Sequence, residues 1–70
     1  MANIRKRFGE RIAGLRDERN WTQEDLAAAS GVSARSISSI ENGVYSVTLD
    51  TAYKLARGFG VPLSRLFDIK

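Results

Sequence analysis

Seventy residues leave room for one hydrophobic core, so a single domain spanning residues 1–70 is expected. Hydrophobic residues make up 43% and charged residues 27%, which argues against disorder, and the absence of Cys and His argues against a disulfide frame, a zinc site or a redox centre. Lys and Arg outnumber Asp and Glu by 11 to 8, and six of those cations (Arg5, Lys6, Arg7, Arg11, Arg16 and Arg19) fall in the first nineteen residues, a clustering that suits a polyanionic partner.

Ile4, Phe8, Ile12 and Leu15 recur at spacings of four, four and three, which predicts a first amphipathic helix over residues 3–19. Its cations are as readily a solvated face as a binding one. Thr22 followed by Asp25 fits a capping box, with Trp21 and Leu26 placed for a hydrophobic staple, so a second helix runs from Gln23 to Ser30. Gly31 can end it in the left-handed conformation, and Ala27 permits close helix approach. Ser33 caps a third helix, with Val32 and Ile37 as a second staple, and Asn42-Gly43 stops it. Thr48 caps a fourth helix with Leu49, Ala52, Tyr53, Leu55, Ala56 and Phe59 as its apolar residues, Asp50 and Lys54 spaced for an ion pair, and Gly58, Gly60 and Pro62 as its end. Val61–Phe67 supplies a last turn or two.

Residues 23–42, QEDLAAASGVSARSISSIEN, therefore read as two short helices about a tight turn. Val32, Ile37 and Ile40 form the inner face of the second, while Ser33, Ala34, Arg35, Ser38 and Ser39 give an outer face with nothing large and apolar to bury. A mostly polar helix held out from a small basic domain has the form of a DNA reader. Trp21 and Tyr53 sit among apolar residues at helical spacing and are expected in the core rather than as base-stacking platforms. The amino end lacks the apolar run of a signal peptide and no stretch reaches membrane-spanning length, so a soluble, cytoplasmic protein without a membrane role is expected.

From Phe8 to Phe67 the chain resembles the phage repressor and Cro-like helix-turn-helix domains: WTQEDLAAASGVSARSISSIENG is similar to their core signature, and TLDTAYKLARGFGVPLSRLF to their fourth and fifth helices. The resemblance implies an all-α, λ-repressor-like bundle of five helices that binds double-stranded operator DNA as a homodimer. It implies base contacts from Ser33, Ala34, Arg35, Ser38 and Ser39, although relatives carry long glutamines where this chain has short serines. Phosphate contacts are implied at Thr22, Gln23, Asn42, Tyr45 and Ser46, with Asn42 equally readable as a helix terminator, and an ion pair at Arg16 and Glu41. Arg35 has two readings, a bidentate grip on guanine or a hold on a phosphate.

Val61, Leu63, Leu66, Phe67 and Ile69 are more apolar surface than one short helix buries, and are expected at the dimer interface or closing the core. The RKRFGERI opening is similar to controller proteins of restriction-modification systems, and small phage repressors are the near alternative. So short a chain leaves no effector domain, so control would pass through concentration, dimerisation or RNA polymerase; no small-molecule ligand or cofactor is expected. An antitoxin-like interaction module is the competing class. An enzyme finds no paired carboxylates, His or Cys to work with.

Overall fold

Four of the five helices begin at a side chain that closes their first turn. The computed structural model describes residues 3–69, and within them the elements are α1 (Ile4–Glu18), α2 (Gln23–Ser30), α3 (Ala34–Glu41), α4 (Leu49–Phe59) and α5 (Leu63–Leu66). Asn3, Thr22, Ser33 and Thr48 each accept a backbone N–H of the turn they start, satisfying donors that a helix cannot pair internally. At α2 the box is reciprocal: Thr22 Oγ1 accepts from the Asp25 amide at 3.1 Å, and Asp25 Oδ2 accepts from the Thr22 amide at 2.9 Å. Gly31 and Gly60 end α2 and α4 with φ of 78° and 72°, the region where a Cβ is strained.

The core is one cluster drawn from every helix: Phe8, Ile12 and Leu15 from α1, Leu26 from α2, Ile37 and Ile40 from α3, Ala52, Leu55, Ala56 and Phe59 from α4, and Leu66 from α5, with Val32 from the turn. The tightest approaches are made by glycine. A Cβ on Gly9 would stand 2.2 Å from the Ile40 carbonyl oxygen, so α1 lies directly on the end of α3. A Cβ on Gly58 would stand 2.8 Å from the Ser30 Cβ, where α4 meets the end of α2.

Four expectations change here. Gly58 does not end α4, which continues to Phe59; it is the contact surface for Ser30. Ile4, Leu49 and Tyr53 are 63%, 70% and 54% exposed, because periodicity marks a helix face without saying whether a neighbour covers it. Asp50 and Lys54 form no ion pair; among the described residues those belong to Arg16. Leu66, expected at an interface between copies, is fully buried in the chain's own core and has no surface left for a partner.

Candidate nucleic-acid interface

The turn between α2 and α3 is held from both sides. Ser30 Oγ donates to the Leu26 carbonyl at 2.7 Å and accepts the Val32 amide at 3.1 Å, so the chain is gripped as it passes Gly31. Ile37 and Ile40 anchor α3 inward at 0% and 1% exposure. That anchoring turns the other side of the helix outward. Arg35 and Ser33 are exposed, and Ala34, Ser36, Ser38 and Ser39 are half-buried along its flanks. Among the described residues the Arg35 guanidinium has no hydrogen bond or ion pair, whereas the Ser33 hydroxyl is committed to Ser36, accepting its amide at 3.1 Å and meeting its Oγ at 2.9 Å.

A polar network fixes α3 relative to α1 and α2. Arg16 donates through Nε to Glu41 Oε2 at 2.9 Å and through Nη2 to Glu41 Oε1 at 3.1 Å, a bidentate fork. Its Nη1 donates to the Trp21 carbonyl at 2.6 Å. Gln23 Nε2 donates to Glu41 Oε1 at 3.1 Å, tying the first residue of α2 into the same carboxylate. The bond to Glu41 raises the Arg16 pKa above its already alkaline ordinary value, against a smaller opposing effect of burial. Sequence reasoning misses the Gln23–Glu41 bond; the two residues lie eighteen apart and no short-range spacing signals it.

Around the rim of α3 the remaining polar residues are placed as follows. Thr22 spends its amide and one hydroxyl lone pair on the capping box. Asn42 closes α3 with its backbone, its amide donating to the Ser38 carbonyl at 3.0 Å, and its side chain is exposed. Gly43 follows at φ 75° and Val44 donates back to Ser39. Tyr45 and Ser46 are exposed in the loop beyond, beside a cleft formed with Ile4, Arg5, Phe8, Val47, Phe67 and Ile69. Trp21 is half-buried and stacked on Phe59 at 5.9 Å, with the Arg19 guanidinium 5.8 Å from its ring, so it packs against the core.

At the far end of the chain, Phe67 stacks on Phe8 at 5.2 Å and keeps 44% of its surface exposed, while Val61, Leu63 and Ile69 are half-buried against the core. Among the described residues no His, Cys, Asp and Glu come together as a metal site, and no helix is long and apolar enough to cross a membrane.

Comparison with known proteins shows which chains this one is similar to. The helix-turn-helix family model matches residues 12–66. Control protein C.MunI of Mycoplasma sp is 40% identical over 69 residues, covering 97% of this chain and 93% of that protein. The transcriptional repressor RghR of Bacillus subtilis is 47% identical over 60 residues, covering 84% of this chain but 44% of its own length. Among solved structures, the restriction-modification controller protein C.AhdI of Aeromonas hydrophila superposes with a TM-score of 0.85 at 31% identity, over 89% of this chain and 94% of that one. These similar proteins are regulators and controllers rather than enzymes.

Proposed function

The chain belongs to the helix-turn-helix family and is a DNA-binding transcriptional regulator, and from that footing we propose that residues 1–70 act as one domain reading a palindromic operator as a homodimer, α3 lying in the major groove of each half-site. The carrying observation is the outer face of α3, where Arg35 stands exposed and, among the described residues, unpaired on a helix whose other side is locked in the core. In this reading Arg35 grips guanine O6 and N7, Ala34 meets a thymine methyl, and Ser33, Ser38 and Ser39 approach base edges closely or through water. Gln23, Thr22, Asn42, Tyr45 and Ser46 hold the backbone on either side, the first-turn amides of α2 presenting a positive helix end to one phosphate.

Val61, Leu63, Phe67 and Ile69 are the surface available to a second copy. The similarity to C.MunI and C.AhdI over nearly the whole chain favours a restriction-modification controller over a small phage repressor as the sub-type. RNA polymerase is the further partner such a regulator would meet. Selection of bound duplexes from a random pool at fixed salt tests the reading: an inverted-repeat consensus is the expected result. A chain that enriches no sequence, and instead inhibits a partner enzyme, would make it an antitoxin-like interaction module.

A further inference from the structure

One face of α1 runs along α3 and ends in a cation that nothing among the described residues neutralises. Lys6, Gly9, Ala13 and Arg16 share that face at spacings of three, four and three. Gly9 meets the Ile40 and Glu41 carbonyls, and Arg16 forks onto Glu41. At the other end Lys6 lies against Gly43, whose added Cβ would stand 2.9 Å from the Lys6 Cα and 3.2 Å from its Cβ. Lys6 is exposed, and among the described residues its side chain enters no hydrogen bond or ion pair.

We propose that Lys6 is a DNA-backbone contact, its ammonium gripping the phosphate on the flank of α3 where Asn42, Tyr45 and Ser46 stand. This rests on the DNA-reading assignment and adds to it a residue from outside the helix-turn-helix. Two observations favour a phosphate as the occupant. Gly43 brings the Lys6 stem onto the loop that follows the reading helix, so the cation continues that surface. The charge also sits where folding alone disfavours it: the first turn of α1 carries Arg5, Lys6 and Arg7 and no acid, whereas α2 and α4 open with Glu24, Asp25 and Asp50. Cations near the positive end of a helix dipole weaken the helix, so the free chain gains no stability from the Lys6 charge; its seat on Gly43 is what separates it from Arg7.

The test measures affinity for the selected duplex and for an unrelated one by fluorescence anisotropy across a salt series. Lys6→Gln should weaken both duplexes alike, by roughly three- to tenfold per protomer, and flatten the log–log salt slope by about 0.9 for each phosphate it leaves without a cation. Lys6→Glu should weaken binding further while raising the melting temperature of the free chain, an opposition of signs that a purely structural role would not give. Arg7→Gln serves as the control. Arg7 borders a different groove, with Glu10, Arg11, Gly14, Asp68 and Ile69, and its replacement should leave the salt slope unchanged. A wild-type slope in Lys6→Gln, with DNA binding intact, overturns the placement of Lys6 alone. A wild-type chain that binds neither duplex overturns the DNA-reading assignment and the Lys6 grip with it.

Discussion

Glu41 serves three elements at once, accepting two bonds from Arg16 of α1 and one from Gln23 of α2 while sitting at the end of α3. With side-chain exposures of 17% and 9%, the Arg16–Glu41 pair is close to buried, so removing one partner strands the other. Glu41→Ala is expected to lower unfolding free energy by about 3 kcal/mol, measured by urea denaturation. Arg16→Met with Glu41→Leu should lose distinctly less than the sum of the single changes, and strict additivity would mean the fork carries no coupling. The sign with pH follows from the raised Arg16 pKa. A raised pKa gives stability that is full below the unfolded value and fades only as pH climbs through the folded one. Both lie in the strongly alkaline range, so Arg16 contributes no pH dependence near neutrality. Arg35 is the opposite kind of residue, exposed and unpaired among the described residues, so Arg35→Ala should leave stability within about 0.5 kcal/mol. In the selection experiment it should relax one position of each half-site by about 1–3 kcal/mol. An unchanged consensus would remove the guanine grip from Arg35 and leave its phosphate reading.

At the scale of elements, two glycines of α1 make opposite predictions. Gly9→Ala would place a methyl 2.2 Å from a backbone oxygen of α3, which cannot swing aside as a side-chain tip could. Overpacking of about 3 kcal/mol outweighs the roughly 1 kcal/mol gained in helix propensity, so thermal melting should fall sharply. Gly14→Ala meets nothing within 4 Å and should raise stability by about 0.5–1 kcal/mol. The existence and order of the helices are legible in the sequence because Thr22, Ser33 and Thr48 are caps, Gly31 is a left-handed stop, and both signals act within a few residues. Gly58 misleads because a glycine near a helix end signals termination from sequence and close packing only from structure. Tyr53, Leu49 and Ile4 mislead for a related reason: each has the right spacing for a core face that no neighbouring helix covers. The candidate site divides in the same way. The outer face of α3 can be read from its own residues, but the Gln23–Glu41 bond and the seat of Lys6 on Gly43 depend on how α1, α2 and α3 cross.

For the molecule as a whole, the proposed dimer makes its own prediction. A two-fold dimer buries the same patch twice, so any residue in it counts twice. Phe67 is the residue that separates interface from core, because it is stacked on Phe8 on one side and 44% exposed on the other. If a partner covers the exposed part, about 80 Å² per copy at about 25 cal/mol/Å² gives roughly 4 kcal/mol across the dimer. Phe67→Ser should then weaken association by roughly a thousandfold. Its intrachain cost adds the buried half of the ring, about 100 Å² at about 25 cal/mol/Å², to about 1 kcal/mol for the aromatic pair, roughly 3–4 kcal/mol in all, so circular dichroism must show the variant still helical at the temperature of the measurement. Sedimentation equilibrium reads the difference directly. The wild-type chain should approach twice the 7.7 kDa protomer mass as concentration rises, and its melting temperature should rise with concentration. The variant should stay at the protomer mass and melt independently of concentration. A wild-type chain that remains at 7.7 kDa both free and on its operator would remove the dimer, and with it the requirement that the selected sequence be palindromic.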